Sequence, residues 1–465
     1  MKILQIAHSL PFLNQAGTEI YTYNLSLELS RRHEVYIISR TCDIKQKEYE
    51  VTKKVIGRIT FYLINNTFKW CDSFETYYEN SQIDSVFSKL IDEIKPDIVH
   101  IQHLVFLSTG FIREIKKRLI PIVFTIHDYW LMCPKWHLLK KDDTPCDKAE
   151  AEAFDNECLD CLREILFIKK GAKRLYVYSR NLLPAFVLKY FKRAYFSFMR
   201  KSPDSAGGIA RLAKRNQRIR GYLDMIDVFF APSMFARDKF IRFGIHPEKI
   251  KILRHGLNSR LFHGFPKTES EKIRLAFIGT ILPAKGLHIL IEALNGIKAK
   301  NIELKIYGKI YSYIGFEDYL PYLKRIIKNK NIKFMNEFNY QNIADVFRDI
   351  DVLIIPSIWH ENAPSVIQEA FITRTPVIAS NIGGMPEFLI DGINGFLFNP
   401  GDKNDLRAKV RRIIKNPWII GELKKNMSPV KGIEDNAREI EDVYDRLIAD
   451  TAFASPHNPP KRYKA

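Results

Sequence analysis

Apolar residues along the chain fall into short runs separated by amphipathic stretches. In the first half, strand-sized runs at Lys2–Ala7, Glu34–Ser39, Ile98–Ile101, Ile122–Ile126 and Val228–Ala231 alternate with helical periodicity over Ile20–Arg31, Ser85–Ile94 and Gly110–Arg118. Continuous apolar strands between amphipathic helices predict a parallel sheet covered on both faces. The pattern restarts near residue 270, with strands Arg274–Gly279, Glu303–Tyr307, Ile332–Met335, Val352–Pro356 and Pro376–Ala379. Helices are expected at Gly286–Ile297, Tyr319–Lys328, Gln341–Ile350, Pro364–Thr373 and Lys403–Lys415. A connector over His255–Lys272 carries Gly256, Gly264 and Pro266. A last helix, Glu434–Ile448, follows Pro429 and Gly432 and is expected to cross back onto the first unit. The expected organisation is therefore a first α/β domain over 1–255 with an insertion at 129–222, and a second over 256–432. A crossing helix at 433–450 and a disordered tail at 451–465 follow.

Length and composition agree with two folded units: 465 residues, 46% hydrophobic and 27% charged. The longest apolar runs, such as Val352–Ile355, are strand-sized and well short of the roughly 20 residues a membrane span needs. Residues 1–7 meet a polar loop at His8-Ser9, so they read as a first strand rather than a leader, and a cytoplasmic location is expected. The net charge of +19 favours anionic partners: phosphate-bearing substrates, anionic lipid headgroups or nucleic acid. A stretch over 162–201 narrows the choice. It is rich in lysine and arginine, with Phe and Tyr interleaved and Glu164 as its single acid. That composition suits the anionic inner face of a membrane, and equally a helix pair whose lysines snorkel outward. Nucleic acid is disfavoured because no recognised motif accompanies the charge.

Four segments carry candidate chemistry. In Trp359-His360-Glu361-Asn362-Ala363-Pro364-Ser365-Val366, Pro364 is expected at the first position of a helix. The free N–H groups of Ala363, Ser365 and Val366 would then bind a phosphate. Glu361 before that helix and Glu369 within it are each suited to a pair of hydroxyls, although two surface glutamates would look the same. In Phe277-Ile278-Gly279-Thr280, followed by Lys285-Gly286, a strand ends in a loop whose lysine suits a diphosphate. In Ala16-Gly17-Thr18-Glu19, Gly17 permits close backbone approach ahead of a helix start. His127 of His127-Asp128 ends a strand, where it suits a sugar hydroxyl or charge at a reaction centre; a structural histidine has the same signature.

Taken together, these segments resemble the family-4 retaining glycosyltransferases with the GT-B fold, as do Asn381-Ile382-Gly383-Gly384-Met385-Pro386-Glu387 and Asp391-Gly392-Ile393-Asn394-Gly395. The resemblance covers most of the chain. It implies two Rossmann-like domains facing a cleft, a nucleotide-sugar donor (UDP- or GDP-linked), no catalytic metal and retention at the anomeric carbon. By that resemblance Glu361 contacts the donor sugar, Glu369 the ribose and Lys285 the diphosphate. His127 lies near the anomeric centre and Gly17 beside the leaving phosphate. The acceptor is expected to be a saccharide or lipid-linked saccharide, in surface polysaccharide or lipopolysaccharide synthesis. Two positions depart from the pattern. Thr280 stands where the family often has arginine, so Lys285 and the helix start neutralise more charge or another cation substitutes. Ala16 replaces a second glycine. A nucleotide-sugar epimerase and a non-catalytic membrane-surface assembly protein are the competing readings.

Cys133, Cys146, Cys158 and Cys161 crowd into one stretch, with one C-x-x-C pair. That spacing raises a structural zinc site as an expectation, against four unrelated buried thiols.

Overall fold

The buried strands sort into two sheets, one from each half of the chain. In the first, β1 (Lys2–Ile6), β2 (Glu34–Thr41), β3 (Val51–Ile56), β4 (Ile59–Asn65), β5 (Ile98–Ile101), β6 (Ile122–Thr125), β7 (Val228–Ala231) and β8 (Ile250–Ile252) lie in the order β3-β4-β2-β1-β5-β6-β7-β8. Neighbours are parallel except for the β3–β4 hairpin. The second sheet holds β9 (Ile273–Ile278), β10 (Ile302–Tyr307), β11 (Ile332–Phe334), β12 (Val352–Ile355), β13 (Val377–Ser380) and β14 (Gly395–Phe398), all parallel, in the order β11-β10-β9-β12-β13-β14. This computed structural model describes residues 1–71, 73–149, 153–166, 187, 190, 205–262, 266–309, 318–335 and 337–453. Most of the basic aromatic stretch 162–201, Gly264 of the connector and the tail after Phe453 lie outside the described residues.

The helices that cover the first sheet are α1 (Gly17–Leu29), α2 (Ser81–Ile94), α3 (Gly110–Lys116), α4 (Asn156–Leu166), α5 (Ser205–Leu223) and α6 (Met234–Arg242). Around the second sheet lie α7 (Leu287–Asn295), α8 (Tyr319–Ile326), α9 (Ile343–Arg348), α10 (Ser365–Ile372), α11 (Lys403–Lys415) and α12 (Ile419–Lys425). Among the described residues, no helix is long and apolar enough to cross a membrane.

Several boundaries differ from the sequence expectation. The β3–β4 hairpin was not anticipated, because β3 is an exposed edge strand whose Lys53 and Lys54 break the apolar pattern. β8 is similarly short and half-exposed. Helix α1 starts at Gly17, three residues before the first apolar-periodic position, after an extended Ala16. Pro364 is the residue before α10 rather than its first turn: its φ of −66° suits a helix, but its ψ of 117° is extended.

A final helix, α13 (Ile433–Phe453), returns to the first unit. Ile433, Ala437, Ile440 and Tyr444 bury themselves with Ile3, Leu25 and Val35 in one apolar cluster. Leu257 N donates to Lys431 O (2.9 Å) and Ile433 N to Leu257 O (2.9 Å), so the two chain crossings between the units are bonded side by side. The C-terminal ends of β1, β5 and β6 face those of β9, β10 and β12 across a cleft.

Candidate active site

The cleft has a volume of about 1200 Å³. Its second-domain wall begins with β12, which ends at Pro356-Ser357 and leads through Ile358–Ala363 into α10. Two glycine features fix that loop. Gly286 is left-handed (φ +66°), and a Cβ there would stand 1.8 Å from Pro356 O, so only glycine lets the 279–286 loop lie against the end of β12. Gly383-Gly384 supports the loop from below: Gly384 N donates to Glu361 O at 2.6 Å, and Cβ atoms on the pair would meet the backbone of Glu361 and Asn362.

Glu361, only 5% exposed, accepts hydrogen bonds from Lys285 Nζ (2.6 Å) and Ser357 Oγ (2.8 Å) through one oxygen. Among the described residues its other oxygen accepts no hydrogen bond. Glu369, 3% exposed and one helical face further on, accepts from Tyr340 OH at 3.0 Å. Burial pushes its carboxyl up to about 7, against the opposing hydrogen bonds from Tyr340 and Ser365. The Asn362 side chain lines the cleft, is 5% exposed, and has neither amide atom paired among the described residues. A buried amide without partners is costly unless a ligand or water completes it. Ala363, Pro364, Ser365 and Val366 complete this wall at the start of α10, with Gly279 and Thr280 opposite. The first N–H groups of a helix have no intrahelical partner, so this end suits an anion.

The first-domain wall is built of histidines and their acids. His127 Nε2 lies 2.8 Å from Gln102 Oε1, while Gln102 Nε2 donates to Gln5 Oε1 at 2.9 Å. The amide oxygen is therefore the acceptor, His127 carries its proton on Nε2, and Nδ1 is left as an acceptor. Burial, reinforced by His255, His103, His100 and His8, pushes His127 well below the ordinary histidine range. It is a neutral imidazole. Of the two roles its position suggested, hydrogen bonding to a hydroxyl suits it and supplying positive charge does not. His103 takes the same tautomer: Val105 N donates to its Nδ1 (2.9 Å), and its Nε2 donates to Asp128 Oδ2 (3.0 Å). Burial alone would raise Asp128, but His103 holds it below the usual carboxylate value. His8 and Asn14 hold Glu19 in the same way, against its burial, at 3.2 and 2.7 Å. Gly17 lines the cleft at the first turn of α1.

Sequence reasoning missed Gln102, His103, Glu19, Ser357 and Tyr340. His100 and His103 near the end of β5 were a visible signal for the first-domain cluster; the others are recognisable only by what they touch.

Cys146 lies within electrostatic reach of Cys133, Cys158 and Cys161, the four thiols of the expected zinc site. Cys133, Cys146, Cys158 and Cys161 are free thiols, and among the described residues no group of three or more His, Cys, Asp or Glu side chains is arranged to hold a metal ion. In the metal-free fold burial raises the Cys133 thiol to about 11 and raises Cys158 and Cys161, with Cys146 adding to each shift.

Two family models match the chain: Glycosyltransferase Family 4 over residues 16–153 and Glycosyl transferases group 1 over residues 260–430. Sucrose-phosphate synthase from Thermosynechococcus elongatus superposes with a TM-score of 0.67 at 16% identity, covering 97% of this chain and 99% of that one. Anabaena HepE in complex with UDP and glucose superposes with a TM-score of 0.62 at 16% identity, covering 96% and 99%. This chain belongs to the family-4 glycosyltransferases with the GT-B fold. Among curated relatives, an uncharacterized glycosyltransferase of Methanocaldococcus jannaschii is 31% identical over 201 residues, 42% of this chain and 53% of that protein. A putative colanic acid biosynthesis glycosyltransferase of Salmonella typhimurium is 25% identical over 177 residues, 36% of this chain and 42% of that protein. The matches thus span about half the length of these relatives. In this glycosyltransferase the second family model begins just before β9 and ends just before α13, so it encloses the wall that carries Lys285, Glu361 and Glu369.

Proposed function

We propose that this glycosyltransferase moves a sugar from a nucleotide-sugar to a hydroxyl of a saccharide or lipid-linked saccharide, with retention at the anomeric carbon. The observation that carries the reading is the wall around α10. Within one helix and the loop before it stand a carboxylate held by a lysine (Glu361), an unpaired buried amide (Asn362), a helix start and a second buried carboxylate (Glu369). A nucleotide-sugar needs those groups in that sequence: hydroxyl acceptors for the sugar, donors for the phosphates and a carboxylate for the ribose. HepE was crystallised with UDP and with UDP-glucose, which makes UDP-sugars the first donors to test, with GDP-sugars beside them.

In the proposed reaction the bond between the anomeric carbon and the phosphate oxygen breaks. The acceptor oxygen bonds to the same face of that carbon, and its proton passes to the departing phosphate oxygen. Lys285 and the α10 start stabilise the leaving diphosphate. Neutral His127 accepts a hydrogen bond from a donor-sugar hydroxyl at Nδ1. Asp128 and Glu19, kept ionised by His103 and His8, accept from acceptor hydroxyls. The basic stretch 162–201 supports an acceptor presented at an anionic membrane surface, and with it a role in surface polysaccharide or lipopolysaccharide synthesis at the cytoplasmic face.

The test is a panel of UDP- and GDP-sugars with saccharide and lipid-linked acceptors, scored by nucleotide release and by NMR of the new anomeric centre. Release that requires acceptor, with donor configuration kept, is the expected result. Acceptor-independent conversion of the donor would point to an epimerase, and an inverted product would overturn the mechanism.

A further inference from the structure

Four thiols gather in the excursion between β6 and β7, each on a different piece of local structure or at its edge. Cys133 closes a turn: its N–H donates to Tyr129 O (2.9 Å), and its carbonyl accepts from Trp136 N (2.9 Å). A hairpin follows, with Leu139 bridged antiparallel to Pro145, and Cys146 N donates to Leu138 O at 2.8 Å where it ends. Cys158 and Cys161 stand three residues apart near the start of α4, so both lie on one face of that helix. The turn and the helix start each lie within electrostatic reach of Cys146 at the hairpin end.

Two observations favour anionic sulfur here. The first is local hydrogen bonding. The backbone N–H groups of Lys135 and Lys141 bond to the sulfurs of Cys133 and Cys161, and the second of these joins the hairpin to α4. Donors at a sulfur favour the thiolate over the thiol.

The second is Arg215 on α5. It is 1% exposed and donates to Trp130 O, Leu131 O (3.3 Å) and Asn216 Oδ1 (2.9 Å). Its guanidinium lies over the rings of Tyr78 and Trp130 at 5.7 and 5.4 Å. Among the described residues it pairs with no carboxylate; the acidic groups that reach it are the Cys133 thiol and the Tyr78 hydroxyl. A buried cation without a counter-charge is costly. A zinc ion with four thiolates carries two net negative charges. Arg215 beside Cys133 and Lys135 beside Cys161 stand where they would answer them. Asp155 and Glu157, acids near Cys158 and Cys161, are paired with Lys148. The four side chains are not set as a ligand cage. A cysteine reaches a new position by turning one torsion, χ1, and zinc binding couples to local folding of this kind.

We propose that Cys133, Cys146, Cys158 and Cys161 bind one structural zinc ion, which ties the turn, the hairpin and α4 into one unit against α5. The inference stands apart from the nucleotide-sugar reading. It bears on the cleft through Trp136 and His137, which follow Cys133 and line the cleft wall. His137 meets Trp359 of the second domain edge-on at 5.1 Å. The zinc braces the first-domain side of that contact.

Metal analysis of the full chain tests the proposal, after purification under reductant and dialysis first against zinc and then against buffer. About one zinc per chain is expected. Stripping with a chelator should make these four thiols reactive toward a chromogenic disulfide. Refilling with cobalt should give the thiolate-to-cobalt charge-transfer band and the strong visible bands of a tetrahedral site. Cys158→Ser combined with Cys161→Ser is expected to remove the ion and the band, while Cys42→Ser, at an exposed thiol outside the set, keeps both. Arg215→Met is expected to keep the cobalt spectrum and to weaken zinc about tenfold to a hundredfold in chelator competition. The parent measurements decide the matter even where a variant fails to fold. A parent chain that takes up no zinc, and whose thiols react without chelator, would overturn the assignment, as would iron in place of zinc. Zinc whose cobalt derivative lacks the charge-transfer band would be an adventitious ion only, and would overturn it equally.

Discussion

Gln102 fixes the face that His127 turns to the cleft. The imidazole donates from Nε2 to the Gln102 amide oxygen at 2.8 Å, and the amide nitrogen is itself bound to Gln5 at 2.9 Å and faces His100 Nε2 at 3.2 Å. His100 in turn meets Tyr444 of α13 through Nδ1 at 2.5 Å. The orientation of a cleft residue thus traces back, through buried amides, to a helix more than three hundred residues later in the chain.

That chain of contacts predicts a positioning role for Gln102. Gln102→Leu is expected to lower kcat about tenfold to a hundredfold with little change in donor KM, because a misoriented imidazole loses a contact made late in the reaction. Gln102→Glu keeps an acceptor and should retain more activity, while adding an ionisation to the pH profile through a raised His127. Equal losses in both variants, with an unshifted profile, would leave Gln102 a packing residue only.

Glu369 predicts a pH dependence. Its carboxyl sits at about 7 in the fold against an ordinary value of 4.5. Between those values the folded chain holds a proton that the unfolded chain has released, so the contribution of Glu369 to stability is fully present below pH 4.5 and is lost as pH rises through 7. The shift corresponds to a loss on the order of 3 kcal/mol across that window. Melting temperatures measured from pH 5 to 8 should fall, and Glu369→Gln should flatten the fall. Donor affinity should move the other way, rising toward pH 7–8 as the carboxylate becomes available to the ribose. A Glu369→Gln variant with the parent's pH profile would refute the account.

The Lys285–Glu361 pair predicts a non-additive cycle. Lys285→Ala strands a carboxylate that is only 5% exposed, and should cost about 1–3 kcal/mol of stability. Glu361→Gln keeps the hydrogen-bond acceptor and should cost less. Combining the two should recover part of the Lys285→Ala loss, by about 1 kcal/mol. Strict additivity in urea melts would show that the pair is not coupled in the unliganded protein.

Glu387 predicts control of the cleft. Its carboxylate accepts from Met234 N and Phe235 N, both at 2.8 Å, so a residue of the second unit caps helix α6 of the first. Arg254 adds a hydrogen bond to Glu387 O at 3.2 Å. Glu387→Ala should cost about 1 kcal/mol and a few degrees of melting temperature. It should also raise the radius of gyration of the unliganded chain in small-angle scattering. Scattering identical to the parent would reduce Glu387 to a local cap.

The sequence by itself determined the fold class, because apolar runs and helical periodicity are local and each central strand is buried on both faces. It located Glu361, Glu369, Lys285 and His127 as candidates for the same reason: each lies just after a strand or at a helix start, a position legible from neighbours a few residues away. It could not show that Lys285 is spent on Glu361, that Asn362 is unpaired, or that Gln102 sets the tautomer of His127. Those facts depend on contacts between residues tens to hundreds of positions apart. The cysteine spacing shows the same limit from the other side: it leaves Cys133, Cys158 and Cys161 within electrostatic reach of Cys146, and whether such thiols form a metal-holding set is a matter of distances in space. The edge strand β3 was hidden because exposure removes the apolar signal that marks a strand. Tertiary structure alone decided which charges meet. An ion pair's partner is chosen by distance in space, and a one-dimensional pattern carries that distance only where the backbone is regular.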